Sequence, residues 1–252
     1  MGAFLKRTLP FYALLMLAWL AIVSLQIWPR YLVPSPLDAI QSLWAGIRDH
    51  TFLIGAAESL KRILIGYFIS LVIGVPLGLL VGRFKFLDDT VGSFIGTLQV
   101  LPSICWLPLA ILWFGLSEWA IQFVVVMGAF LPIAIATDEG IKNVPPLYLR
   151  AAKTMGIRGP DLYLRVILPA ALPSVMTGMK LGWSFAWRSL MAGELIYASL
   201  GLGQLLQTGR ELNDLSQVVA VMLLIMAVGW SFDRLFGLFQ NRLRRRWGTQ
   251  ST

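Results

Sequence analysis

Apolar positions in this chain come in blocks of about twenty, far longer than the stripe of a surface helix. Leu9 to Trp28 carries no charge and ends at Pro29. Ile63 to Gly82 is uncharged up to Arg83, Trp119 to Thr137 runs to Asp138, and Leu215 to Phe232 precedes Asp233. A hydrocarbon core about 30 Å thick takes about 20 residues at 1.5 Å each, so each block predicts a membrane-spanning helix. Residues 90–117 are also uncharged but contain Pro102 and Pro108, which predicts one span broken or re-angled near its outer end.

Between 172 and 195 the apolar pattern is interrupted by Lys180, Arg188 and Glu194, and orientation decides its reading. If this segment spans, both ends lie inside with fourteen of the 21 Lys and Arg residues, including the cluster Arg242, Arg244, Arg245 and Arg246. If it does not, that cluster lies opposite the other basic loops, against the positive-inside bias. The expectation is therefore a single all-α, polytopic membrane domain over residues 1–252. Its six transmembrane helices fall near 9–28, 63–82, 90–117, 119–137, 172–195 and 215–238, with an inner loop at 138–169 and both termini cytoplasmic. The first block is twice a usual signal core and lacks a small-residue cleavage site, so it reads as a retained anchor. Trp28, Tyr31, Trp113 and Trp119 fall at span ends, as interfacial aromatics do.

Composition removes the competing classes. With 57% hydrophobic and 13% charged residues and a mean hydropathy of +0.73, the chain is neither an ordinary soluble globule nor disordered. The net charge of +8 belongs to inner loops and does not call for a nucleic-acid partner. One cysteine, Cys105, and one histidine, His50, leave no zinc set of the usual kind.

Between the first two spans, Ser35 can cap and Pro36 can open a helix whose Leu37, Ile40, Leu43, Trp44 and Ile47 share a face, which predicts a helix on the outer surface. In the second span Gly66, Ser70, Gly74, Gly78 and Gly82 recur every four residues, and Gly178, Gly182 and Ala186 repeat the device in the fifth. Helices in lipid approach closely through such small residues, so both ridges predict packing within the subunit, with a dimer contact as the alternative. On the opposite side of the fifth span Lys180, Ser184, Trp187 and Glu194 form a polar stripe, with Arg188 about 80° away. Charge at membrane depth usually faces the bundle interior or a cavity, so these five are the candidate substrate pathway. The competing reading has Lys180 and Glu194 snorkelling to opposite interfaces.

The inner loop reads as two short helices. Asn143 and Pro145-Pro146 start the first, Leu147 to Met155 form it and Gly156 ends it; Gly159, Pro160 and Asp161 open a second that closes by Leu168 and Pro169. Here Ala151-Ala152, Gly156, Val166 and Leu168-Pro169 resemble the EAA loop of membrane subunits of ATP-binding-cassette importers, with Arg150 at the usual Glu and Val166 at the usual Ile. Pro34-Ser35-Pro36, Glu58-Ser59-Leu60-Lys61-Arg62, Leu168 to Pro173, Trp187 with Ala192-Gly193-Glu194, and Gly201-Leu202-Gly203 resemble the sulfonate, taurine, nitrate and bicarbonate branch.

That resemblance implies a type I importer permease of the inner membrane that pairs with a second copy of itself. It also implies two copies of an ATPase subunit and an extracytoplasmic substrate-binding protein as partners. Tyr148, Arg150, Ala151, Ala152, Lys153, Gly156 and Arg158 are the implied contacts to the ATPase. The implied cargo is a small anion, while related permeases carry heterocyclic vitamin precursors. No G-x-x-x-x-G-K-[ST] loop occurs, so this chain is expected to bind no cofactor, and ATP and Mg belong to another chain. Against it stand an ion-coupled carrier using Lys180 and Glu194, and a membrane enzyme acting on lipid. For the latter, only Asp88-Asp89 and Asp138-Glu139 offer adjacent acids, and both pairs read as solvated helix ends.

Overall fold

The computed structural model describes residues 2–25, 29, 32–196 and 200–246, with only the backbone described at 2–9, 241 and 243–246. Trp28 and Tyr31 lie outside the described residues. Among the described residues there are ten helices: α1 Gly2–Ser24, α2 Pro36–Arg48, α3 Thr51–Arg83, α4 Lys85–Gln99, α5 Ser103–Phe114, α6 Glu118–Lys142, α7 Pro146–Thr154, α8 Pro160–Ile196, α9 Leu202–Glu211 and α10 Leu215–Arg246. No strand occurs among the described residues.

Among those residues, α3, α6, α8 and the part of α10 from Leu215 to Gln240 are long and apolar enough to cross a bilayer, and the bent pair α4–α5 makes a fifth candidate. Pro10–Ser24 within α1 is a shorter apolar helix. The uncharged run at 90–117, expected to be broken or re-angled near its outer end, is bent: α4 and α5 meet at 101°. Pro102 causes the break, since it has no N–H and holds an extended backbone, while Pro108 sits in the first turn of regular helix where no N–H is needed.

A correction concerns the loop. The expected short helix after Gly159 does not close at Pro169; α8 runs 37 residues without a break. A wide turn at Tyr163–Ile167 precedes Leu168 and loosens the backbone where the Pro169 ring would clash with the preceding turn. Likewise α3 begins at Thr51, well ahead of its apolar block. The Asp49 carboxylate accepts from Thr51 N and Oγ1 just before this helix, and these bonds hold its pKa below the ordinary 3.8.

The chain forms two compact units whose boundaries fall inside α3 and α10. One comprises residues 1–59 and 198–227. In it Ser35 and Asp38 form a reciprocal cap on α2, as the Ser-Pro pair predicts. Pro36, Ala39 and Gly46 are the buried residues of α2, whereas Leu37, Ile40 and Trp44 are exposed, so the shared apolar face is turned outward. The Trp19 indole donates to the Pro34 carbonyl, and buried Ser59 Oγ accepts from Leu202 N at 2.8 Å.

The other unit comprises residues 60–197 and 228–252 and is organised around α6. Both small-residue ridges pack on α6 from different neighbours. A Cβ on Gly66 would stand 2.6 Å from Val125 Cγ1, one on Gly78 2.6 Å from Thr137 Cβ, and one on Gly182 2.6 Å from Ile133 Cγ1. Backbones therefore approach at distances that any side chain forbids. The contacts advance together along α3 and α6 but in opposite senses along α8 and α6, so α8 runs antiparallel to the other two.

Candidate functional site

Between α6 and α8 the chain projects α7, the first helix expected in the loop. Its only buried residue is Ala152, while Leu147 (70% exposed), Tyr148 (48%) and Met155 (77%) lie outward on one side with Ala151. Arg150, Lys153 and Arg158 are exposed around them. Arg150, at the position of the usual Glu, is exposed.

The end of α7 is rigid. Gly156 takes φ +78°, its N–H donates to the Lys153 carbonyl, and Ile157 N–H donates to the Ala152 carbonyl at 2.9 Å. These two bonds make a Schellman cap, which needs a left-handed residue at the Gly156 position. Gly159 then turns the chain at φ +59° into α8. Tyr163, on the first turn of α8, donates from its hydroxyl to the Leu79 carbonyl and lies under the Arg83 guanidinium at 5.0 Å. Lys142 pairs with Asp88 and with Asp138 at 2.7 Å, joining α4 to the end of α6. The helix pair is thus a platform held at its base, with an apolar outer face ringed by cations.

The five residues of the expected pathway separate. Glu194 has no exposed side-chain area and meets Arg62 Nη1 at 2.8 Å; Arg62 Nε and Nη2 bind both oxygens of Glu118 at 2.7 and 2.8 Å. Snorkelling is thereby corrected for Glu194, because the guanidinium satisfies it internally. The signal available beforehand was an acid in an apolar segment that demanded a cation, but Arg62 read as a loop residue. Lys180 pairs with Asp233 at 2.8 Å. Trp187 is buried against Gly229, and Ser184 bonds back to the Lys180 carbonyl. Trp183, which the stripe did not include, stacks on Phe232 at 4.5 Å, and Gln240 reaches Thr177. Most of the stripe is therefore a seam against α10 instead of an open wall.

Arg188 differs. Its Nε donates to the Ser184 carbonyl and its guanidinium lies 4.6 Å from the Phe185 ring centroid, but no carboxylate pairs with it among the described residues. Phe185 lines a cleft of about 230 Å³ at the α4–α5 bend, closed by Gln99 to Ser103, Trp106, and Met127, Gly128, Leu131 and Pro132 of α6. Among the described residues no cluster of His, Cys, Asp and Glu could hold a metal.

Comparison with known proteins supplies the family. Residues 74–245 match the model described as "Binding-protein-dependent transport system inner membrane component". A putative ABC transporter permease protein of Methanocaldococcus jannaschii is 34% identical over 91% of this chain and 87% of its own length. The taurine transport system permease protein TauC of Escherichia coli is 29% identical over 92% and 86%, and the nitrate import permease protein NrtB of Leptolyngbya laminosa 28% over 82% and 78%. An inward-facing structure of the MetNI methionine ABC transporter shares the fold, with a TM-score of 0.62 at 21% identity over 79% of this chain and 97% of that one. These findings favour neither the ion-coupled carrier nor the lipid enzyme; ATP hydrolysis resides on a separate subunit. The chain belongs to the binding-protein-dependent transport-system inner membrane components and is the transport subunit of an ATP-binding-cassette importer, with the type I permease fold.

Proposed function

We propose that this chain pairs with a second copy of itself, seats α7 of each copy on one of two cytoplasmic ATPase subunits, and imports a small anion delivered by an extracytoplasmic binding protein. The termini then lie in the cytoplasm, and ATP with Mg is held by the ATPase chains. The observation that carries this reading is α7: a short, cap-locked helix whose outward apolar face is uncovered among the described residues. Leu147, Tyr148, Ala151 and Met155 supply buried area to a groove, and Arg150, Lys153 and Arg158 supply its charged rim. Ala152 and Gly156 set the helix and its cap in place. The anion rests on Arg188 and on relatives named for taurine and nitrate.

Closure of the ATPase pair moves α7, and the motion passes through the rigid turn at Gly156–Gly159 into α8. Because α8 is one helix from Pro160 to Ile196 and is fitted to α6 along its length, displacement at its base re-aims the segment carrying Arg188. Lys180, Ser184, Trp187 and Glu194 act in this reading as the seam and lock that keep α8 in register, with Arg188 facing the cargo.

A cysteine at Lys153, in a chain whose Cys105 is changed to Ser, tests the arrangement in intact cells. Labelling only after the membrane is made permeable is expected, together with cross-linking to a soluble ATPase; labelling from the exterior overturns it. Leu147→Ser with Met155→Ser should reduce co-purification of the ATPase about tenfold or more, as loss of two apolar anchors does.

A further inference from the structure

The cargo path of the proposed importer is open to a sharper statement. We propose that the cleft at the α4–α5 bend, together with the Arg188 guanidinium stacked on its lining residue Phe185, is a binding subsite for a small oxyanion inside the membrane domain. This inference rests on the anion reading above and adds the place and the groups.

Three observations converge there. First, depth: Ser189, next to Arg188, packs on Gly128, ten residues into the 25-residue α6, so Arg188 stands near mid-helix and not at an interface. Second, charge: Arg62 is matched by Glu118 and Glu194 and Lys180 by Asp233, whereas Arg188 has no carboxylate among the described residues. An arginine cannot be deprotonated to lower its cost, so a free anion is the group that completes it. Stacking on Phe185 holds the plane, Nε is used by the Ser184 carbonyl, and the two Nη groups remain for a bidentate pair with two oxygens.

Third, the cleft itself. Irregular backbone at membrane depth is stable where it lines a cavity, and the bend at Val100–Pro102 does so. Trp106, in the wall, has an indole N–H that is shielded and has no acceptor among the described residues. Ser103 adds a hydroxyl, while Leu101, Met127 and Phe185 give apolar surface to an organic substituent. No acid lines this cleft, so a cation is not its ligand.

Val100 lines the cleft and is 81% exposed, so Val100→Cys in a chain whose single cysteine is removed by Cys105→Ser supplies a reporter. The test measures the rate of maleimide labelling at position 100 in the detergent-purified importer complex with sodium nitrate, methanesulfonate or taurine, against sodium chloride of equal ionic strength. At three times the dissociation constant, an oxyanion that occupies the cleft should slow labelling about fourfold. Arg188→Gln should raise the concentration needed about tenfold or more, with Arg188→Lys intermediate because it lacks the fork.

Equal labelling rates in the reporter chain with Arg188 intact, with every anion and with chloride, overturn the subsite, whatever the Arg188 variants do. Protection by chloride as strong as by oxyanions overturns the oxyanion class. If the position-100 cysteine is unprotected while the complex with its binding protein still imports one of these anions, the subsite alone fails. If none of them is imported, the anion reading under Proposed function fails with it.

Discussion

Arg62 and Glu194 meet at 2.8 Å across 132 residues of chain, with the Glu194 side chain wholly sealed and that of Arg62 7% exposed. Glu118 completes the group with a bidentate contact from a half-exposed position. Three helices are pinned by one guanidinium: α3 through Arg62, α6 through Glu118 and α8 through Glu194. Desolvation makes such a group a weak net source of stability, yet removing a single member strands a buried charge.

Arg62→Met should therefore destabilise the protein by about 3–5 kcal/mol, and Glu194→Met by less, because Glu118 still pairs with Arg62. Arg62→Met combined with Glu194→Met should recover a large part of that loss, since no buried charge is then left alone. Thermal unfolding in detergent across the double-mutant cycle measures it. Additive losses would show that the two residues act separately.

The pair Lys180 and Asp233 predicts a contrasting result. Its side chains are 34% and 53% exposed, so the pair is screened and should contribute about 1 kcal/mol or less. Lys180→Met with Asp233→Leu should leave both melting temperature and uptake close to the unaltered protein. Loss of uptake in a stably folded double variant would place Lys180 in the cargo path itself.

Helix approach around α6 makes a graded prediction. Gly182→Val and Gly66→Val put side-chain atoms where Ile133 and Val125 already are, and overpacking of about 1–3 kcal/mol or more is expected for each. Gly237→Ala meets nothing within 4 Å and should be neutral or stabilising by about 0.5–1 kcal/mol through helix propensity. Yield of monodisperse protein and its melting temperature read out the difference.

Gly156→Val tests the cap on α7. Nothing crowds this position, so the cost comes only from φ +78°, about 1–2 kcal/mol, more for a β-branched side chain. The bundle should fold and keep its melting temperature within a few degrees, while ATP hydrolysis by the complex loses its link to uptake. Coupled uptake at the unaltered rate would remove the cap from the coupling step.

Much of the architecture was legible because membrane solvation writes itself into the chain as uncharged runs. The blocks at 63–82, 119–137 and 215–238 lie within α3, α6 and α10, and the small-residue ridges marked the faces that touch α6. Ser35, Pro36 and Gly156 were readable at their boundaries because caps are local chemistry. The break at Pro102 was read as such, whereas Pro169 was misread as a stop, because a proline's effect depends on the turn before it. Pro102 breaks the chain where the backbone is already extended, whereas Pro169 follows a wide turn that accommodates it.

The candidate site was legible by residue type but not by role. Lys180, Trp187, Arg188 and Glu194 share one helix, and only their partners tell them apart: Asp233, Gly229, Phe185 and Arg62 stand on other turns or other helices. By itself the sequence determined that this chain dissolves in a bilayer, which helix faces approach closely, and where its long polar loop lies, because hydropathy, small-residue spacing and caps act over a few turns. Tertiary structure alone decided which charges are neutralised and that Arg188 meets no carboxylate among the described residues, because pairing across more than a hundred residues is a property of how helices meet and not of any one of them.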